Sequence, residues 1–348
     1  MKLKQGQKAI VTGASTGLGV HIAEALAKRG IHLSLAARNE TNLEKVKAYL
    51  LAKYEIKVIT IPTDISKQHE LETLVLETVT QFGAIDILVN NAGVENTLWF
   101  GDTTRTEINS AIDINLKGTL NLSHLVLKHM IKQNNGHIVN ISSGTGYLPM
   151  AYNEVYATTK AGIIGFTKAL RQSLQDQGAN VSASVVAPGF MDGSGMYENM
   201  KEQYKVVAPK ILGTSEMKTL TRAFVVAIEK DKPDVIVSAG FPRLIVALSI
   251  FNQRTFEKIT KIFKVSGFFR AIAESNWAKT KADRKRRGVK GNIRNLTRLL
   301  WANKVSRRTP RTQEKYEEVK PNVQTLAQLL WEIDLEEQKA QKEESGVP

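Results

Sequence analysis

The sequence predicts an α/β protein, a three-layer, doubly wound, parallel sheet of seven strands followed by a helical C-terminal extension. Three observations predict it. Short runs rich in Val, Ile and Leu alternate with long helical patterns over the first 240 residues, the pattern of a parallel sheet covered on both faces. Residues with distinctive chemistry fall just after those runs, where doubly wound sheets bind ligands. Apolar residues make up 42% and charged residues 24% of the 348, enough to bury one large core.

"KAIVTG" (8–13) reads as the first strand and "VHIAEALAKRG" (20–30) as a helix stopped by Gly30. "HLSLAAR" (32–38) is the second strand and "KVITIPTD" (57–64) the third, with the amphipathic "KQHELETLVLETVTQFG" (67–83) after it. "DILVN" (86–90), "HIVNIS" (137–142), "VSASVVAP" (181–188) and "DVIVSAG" (234–240) supply four more. Long helical patterns over 103–132 and 153–175 separate them. A catalytic domain is expected over 1–241, an amphipathic helical extension over 242–278, and a basic then acidic tail over 279–348.

The net charge of +14 is local. Residues 279–311 hold thirteen Lys and Arg against the single acid Asp283, and residues 312–348 hold four bases against nine acids. Within the basic block Ile293, Leu296, Leu300 and Asn303 form an amphipathic stripe. It can pair with the acidic segment 322–340, whose Val323, Leu326, Leu330 and Ile333 share one helical face. Residues 242–311 are a candidate for peripheral contact with an anionic membrane surface, packing on the catalytic domain or at a dimer interface being the alternative. Nucleic acid is disfavoured as a partner, because the block has no recognisable nucleic-acid fold signature and few aromatics. The apolar run "LIVALSIF" (244–251) is too short to span a bilayer, and the N-terminus lacks the apolar stretch of a signal peptide. A cytoplasmic protein is expected, with peripheral membrane contact as the alternative, and a homo-oligomer. There is no cysteine, so disulfides and thiol chemistry are excluded; no metal site is expected.

"TGASTGLG" (12–19) closes the first strand and opens a helix. Glycines there let the backbone approach a pyrophosphate, and a helix N-terminus offers free N–H groups and a positive dipole end. Gly13, Ser15, Thr16, Gly17, Leu18 and Gly19 are therefore candidate nucleotide-binding residues, although the spacing is G-x-x-x-G-x-G and not the G-x-G-x-x-G of the standard fingerprint. After the second strand, where an acid would bind the ribose of NAD, stand Arg38 and Asn39. A guanidinium there suits a 2′-phosphate, which favours NADP(H), with NAD(H) as the alternative. Asp64, followed by Ile65, can accept from the adenine amine or cap the next helix.

"TGASTGLG", "NNAG" (90–93) and "YATTK" (156–160), in this order and at these separations, resemble the short-chain dehydrogenase/reductase family over about residues 5–240. The resemblance implies a single-domain Rossmann fold that reduces carbonyls or oxidises alcohols with NAD(P). It maps the catalytic pair onto Tyr156 and Lys160, the serine thirteen residues upstream onto Ser143, and the fourth member onto Asn115. It implies that Asn90, Ala92 and Gly93, then Tyr156 and Lys160, and Pro188, Gly189 and Met191 of the loop after strand six, contact the cofactor, Asn90 also tying neighbouring strands. Where the family usually carries a Thr in that loop, this chain has Gly193 with Ser194 beside it.

The chemistry accounts for these residue types independently. A free phenol has a pKa of about 10, and an ammonium one helical turn away favours the phenolate and lowers it. Ser143 would hold a carbonyl oxygen, Lys160 would also hold the nicotinamide ribose, and Asn115 would anchor a relay water. Tyr152, four residues before Tyr156, is expected on the same helical face, lining or packing at the substrate mouth. Phe190, Met191, Met196, Tyr197 and Met200 suggest an apolar, lipid- or steroid-like carbonyl or alcohol substrate. The rival readings are a cofactor-sensing regulator without turnover and a protein tethered to membrane or RNA through its tail.

Overall fold

The computed structural model describes residues 1–193, 195–209, 212–239, 246, 249, 252–263 and 265–279. Its strands are β1 (Lys8–Thr12), β2 (His32–Ala37), β3 (Val58–Pro62), β4 (Ile87–Asn90), β5 (Gly136–Ile141), β6 (Val181–Pro188), β7 (Phe190–Asp192), β8 (Thr214–Glu216) and β9 (Asp234–Val237). Seven form one sheet in the order β3-β2-β1-β4-β5-β6-β9, and every pairing in it is parallel. β7 and β8 pair as a small separate ribbon. Val11 lies opposite Leu35 on one side and Val89 on the other, so β1 and β4 flank the point where the winding reverses and a crevice opens.

The helices are α1 (Gly17–Ala27), α2 (Glu40–Leu51), α3 (Gln68–Phe82), α4 (Arg105–Ala111), α5 (Gly118–Lys132), α6 (Gly144–Tyr147), α7 (Glu154–Asp176), α8 (Met196–Tyr204) and α9 (Met217–Glu229). Ile22 and Leu26 of α1, Leu43 and Leu50 of α2, and Leu220 and Phe224 of α9 pack on one sheet face. Leu71 and Leu74 of α3, Val126 and Met130 of α5, and Leu174 of α7 pack on the other. The strands between them are buried on both faces, which is why they read as continuous apolar runs. Local signals set the helix ends: Gly83 closes α3 in the left-handed conformation at φ 77°, and Thr104 with Glu107 makes a capping box at α4.

The single long helix expected over 103–132 is instead α4 and α5 joined by a π-helical turn, Ile112–Lys117, which contains Asn115. Such turns insert an extra residue and re-aim side chains near functional sites. The chain divides into two units, Met1–Trp277 and Ala278–Pro348; residues of the extension up to Trp277 belong to the first. Within it, Gln253–Ile262 and residues 265–277 are helical. Ser194, most of the 244–251 run, the basic block beyond Lys279 and the acidic 322–340 segment lie outside the described residues. Among the described residues no helix is long and apolar enough to cross a membrane.

Candidate active site

A cavity of about 870 Å3 runs across the carboxyl ends of the strands. At one end the chain leaves β1 through Gly13, at φ 65°, where a Cβ would lie 2.9 Å from the Ala92 Cα; only glycine fits. Thr16, the N-cap of α1, makes no side-chain cap hydrogen bond, and the first turn of that helix carries no acid. Its terminal N–H groups are thus left for an anion. Gly13, Ser15, Thr16, Gly17 and Leu18 line the cavity. Gly19 does not; a Cβ there would collide with the Gly13 carbonyl, so this glycine lets α1 pack under the turn.

Two loops are laced together at this point. Thr12 Oγ1 accepts from Asn91 N at 2.9 Å and from Ala92 N at 3.1 Å, and Asn91 Nδ2 donates to Thr12 O at 2.9 Å. Ala92 and Gly93 line the cavity, and so does Asn91, the one member of "NNAG" to which its sequence context assigns no role. Asn90 points away from the cavity, and its buried amide donates to Asn140 Oδ1 at 2.8 Å and Ser123 Oγ at 2.9 Å, tying β4 to β5 and α5.

Arg38, Asn39, Asp64 and Ile65 line the same end. Asn39 caps α2 by accepting from Asn42 N. Asp64 accepts from Ser66 N and Oγ at 3.0 and 2.7 Å. Burial pushes its carboxyl up, but these bonds and the Arg38 charge outweigh that and hold it below the usual range. Arg38 itself makes no hydrogen bond or ion pair among the described residues. A glycine turn that no side chain could enter, a helix start without an anionic cap and a free guanidinium together fit a phosphate-bearing dinucleotide.

At the other end, Ser143 caps α6 and accepts from Thr145 Oγ1 at 3.0 Å, and its hydroxyl also reaches the Tyr156 phenol. The adjacent Ser142 is committed elsewhere, donating to Lys160 O at 2.8 Å. Tyr156 and Lys160 are both buried on α7. Lys160 Nζ donates to Ile141 O at 3.0 Å and sits 5.5 Å from the Tyr156 ring centroid. Burial pushes this ammonium down to about 8, partly offset by the nearby Glu95 carboxyl. The phenol differs from expectation: burial, then Glu95, push it above its ordinary value, and the Ser143 hydrogen bond only partly opposes them.

Asn115 lies behind the cavity wall. Its Oδ1 accepts from Val94 N and its Nδ2 donates to Val94 O, both at 2.8 Å, with a further bond to Thr159 Oγ1 at 3.1 Å. The π-helical turn thereby clamps the loop after β4 against α7. Tyr152 is not on the helix that carries Tyr156 and Lys160. α7 starts at Glu154, so Tyr152 occupies a left-handed turn at φ 68°, where its phenol accepts from Arg270 Nε at 3.0 Å.

Pro188, Gly189, Phe190, Met191, Met196, Tyr197 and Met200 line the wall and roof beside the tyrosine. Phe190 packs against Tyr197 at 5.0 Å with the rings tilted by 54° and meets Phe268 edge-on at 5.2 Å. Phe269, from the C-terminal extension, also lines the cavity. The helix that carries it is held by Asn276, which donates to Thr97 O at 2.9 Å and accepts from Tyr204. Nothing in its local sequence marks Phe269 as a pocket residue.

The profile of the short chain dehydrogenase family matches residues 7–205. Ketoacyl reductase HetN of Nostoc sp. is 35% identical over 275 residues, covering 78% of this chain and 93% of that protein. Among solved structures, NAD+-bound xylitol dehydrogenase superposes with a TM-score of 0.63 at 25% identity, over 69% of this chain and 100% of that one. A variant of actinorhodin polyketide ketoreductase with NADPH superposes with a TM-score of 0.59 at 26% identity, over 66% and 95%.

Proposed function

The chain belongs to the short-chain dehydrogenase family and is an oxidoreductase with a nicotinamide cofactor, and from that premise we propose that it interconverts a ketone or aldehyde and an alcohol on an apolar substrate, preferring NADP(H). The observation that carries this reading is the gathering of Ser143, Tyr156 and Lys160 at one end of a cavity whose other end is the glycine turn and Arg38.

A bound nicotinamide supplies or accepts the hydride. Tyr156 donates its proton to the carbonyl oxygen in reduction and takes one from the hydroxyl in oxidation. Ser143 holds that oxygen. Lys160, fixed by the Ile141 carbonyl, places a positive charge near the phenol and the ribose. Arg38 takes the 2′-phosphate, since it lines the cavity and makes no hydrogen bond or ion pair among the described residues, and the open N-terminus of α1 takes the pyrophosphate. The apolar roof of Phe190, Met196, Tyr197 and Phe269 excludes water and accommodates a greasy substrate.

A panel of aliphatic, cyclic and steroid-like ketones, run with NADPH and NADH side by side, tests this. Turnover of apolar ketones with NADPH is expected. Arg38→Ala should weaken NADPH binding about 10–100-fold and leave NADH unchanged, the loss of one or two charge-assisted hydrogen bonds. Equal use of both cofactors by the unmodified enzyme would remove the role given to Arg38, and silence across the panel would remove the substrate class.

A further inference from the structure

One carboxyl group in the cavity has no part in the steps above. The acids that line it are Asp64, at the nucleotide end beside Arg38, and Glu95. Contacts on two sides place Glu95 at the other end. It follows Gly93 by two residues, and a Cβ on Gly93 would lie 3.5 Å from Lys160 Nζ. Its own Oε1 accepts from Asn153 Nδ2 at 2.7 Å and from Thr97 Oγ1 at 3.4 Å. Asn153 is completely buried and is the N-cap of α7, so Tyr156 stands three residues further along the same helix. Oε1 is thereby committed to the protein. Oε2 takes no hydrogen bond or ion pair among the described residues. The wall beside it is apolar, with Leu148, Met150, Phe190 and Phe269, and the Tyr197 hydroxyl there is spent accepting from Ala208 N at 2.9 Å.

We infer that Glu95 is a specificity-determining residue that binds a hydroxyl on the substrate, so that the pair interconverted here is an apolar hydroxyketone and the corresponding diol. This names the substrate class of the site described above and rests on that reading. With the reacting oxygen between Ser143 and Tyr156, the carboxyl held at the start of α7 lies roughly one helical turn away, about 5 Å, a gap that a six-membered ring or a short chain bridges. An uncommitted carboxyl oxygen that meets a purely apolar ligand loses its water and gains nothing in return. A substrate hydroxyl replaces that water, and a site built this way rejects the analogue that lacks it. A hydroxyl suits the group in either protonation state, because it donates to a carboxylate and accepts from a carboxylic acid. An ammonium suits it less: burial pushes the Glu95 carboxyl up, toward its neutral form, and the Lys160 charge stands nearby. Because Asn153 and Thr97 pin Oε1, the carboxyl keeps one orientation, which discrimination between similar ligands requires.

The test compares ketones that differ by one hydroxyl. Cyclohexanone and 4-hydroxycyclohexanone, and a decalone with and without a hydroxyl on its second ring, are reduced with NADPH by the full chain. The hydroxylated member of each pair should have a kcat/KM higher by about tenfold or more, the worth of one good hydrogen bond. Glu95→Ala should bring that ratio down to about one, and Glu95→Gln, whose amide also bonds a hydroxyl, should recover part of it. If Glu95 served only to hold the start of α7, Glu95→Ala would slow both members together and keep the ratio, which overturns the inference. A ratio of one in the unmodified enzyme, or a preference for 4-aminocyclohexanone over the hydroxyl compound, overturns it as well. A binding measurement separates it from the reading beneath. In Tyr156→Phe with NADP+ bound, 1,4-cyclohexanediol should raise the thermal denaturation midpoint more than cyclohexanol does. Equal shifts overturn the role of Glu95 alone, whereas full turnover by Tyr156→Phe overturns the reading on which it rests.

Discussion

At the amino end of the sheet, Arg171 donates to both carboxylate oxygens of Asp231 at 2.6 Å each, to Asp231 O at 3.0 Å and to Ser182 Oγ at 2.6 Å. Nearby Asp86 accepts from Lys8 N at 2.8 Å and Asn135 Nδ2 at 3.0 Å, and His137 is buried in its neutral form, pushed down to about 4 by burial. At the carboxyl end the ionisable groups are placed otherwise. Lys160 is buried against a backbone carbonyl and forms no salt bridge among the described residues, Tyr156 is pushed up, and burial pushes Glu95 up despite hydrogen bonds from Asn153 and Thr97 and the Lys160 charge. A left-handed Tyr152 adds backbone strain beside them. The same strands thus join a region where charge is paired or kept out to one where it is held under tension. Burial brings the two protonation states of Lys160 closer in free energy near neutral pH but moves the Tyr156 phenol further from it, and perturbed groups of this kind gather at functional sites.

The sharpest way to break that contrast is to remove the tension. Tyr156→Phe should lower kcat about 10^2–10^4-fold, the usual worth of a positioned general acid or base, while NADPH binding, followed by fluorescence, stays intact. Its denaturation midpoint should not fall, because the hydroxyl removed is a buried polar group held mainly by Ser143. A variant that lost stability in step with activity would show that the tyrosine belongs with the structural half of the sheet.

The second effect lies at the amino end. His137 has a folded-state value of about 4, below its ordinary 6.5. The unfolded chain therefore binds its proton first, and stability falls as pH drops from about 6.5 through 4. The loss is on the order of 3 kcal/mol for a buried imidazole with a shift of this size. Urea midpoints across that interval should fall for the unmodified protein and stay much flatter for His137→Gln, with little change in kcat at neutral pH for the same variant.

The two ends also differ in how much of them was legible in the sequence. The strands were, since burial on both faces writes itself as unbroken apolar runs. The glycine turn and the spacing of Ser143, Tyr156 and Lys160 were too, because those constraints are local or fixed in register. For Tyr152 only half was legible: Y-x-x-x-Y mimics one helical face, but Asn153 caps the helix and places Tyr152 outside it, where it still packs against the Tyr197 and Phe269 cluster at the cavity. The π-helical turn left no mark, since "IDINLKG" suits an ordinary helix equally well. Glu95 stood in plain view after the small-residue turn, yet Asn153, which fixes it, is 58 residues away. Phe269 reaches the cavity from a segment with no local pocket signal, on a helix that Asn276 holds to Thr97 and Tyr204. What escaped the sequence was mostly contact between distant segments, and it is concentrated at the carboxyl end of the sheet.

The smallest effect tests whether the two ends are independent. Arg171→Ala strips Asp231 of its bidentate partner and should cost about 2 kcal/mol by urea denaturation, between the values for exposed and buried pairs, because Arg171 is 11% exposed and Asp231 42%. Arg171→Lys keeps the charge without the planar fork and should recover only part of the loss. The pH dependence gives a second reading of the same contact. Asp231 is held down to about 2, chiefly by the Arg171 hydrogen bonds, against an ordinary 3.8. Its contribution is therefore fully present above about 3.8 and lost as pH falls through about 2. Solvent screening at so exposed a carboxylate reduces that limb to on the order of 1 kcal/mol. In Arg171→Ala the limb should disappear, leaving only the His137 loss at higher pH, while kcat and NADPH affinity at neutral pH match the unmodified enzyme. A fall in kcat with the fold otherwise intact would mean that the paired end of the sheet sets the geometry of the strained one.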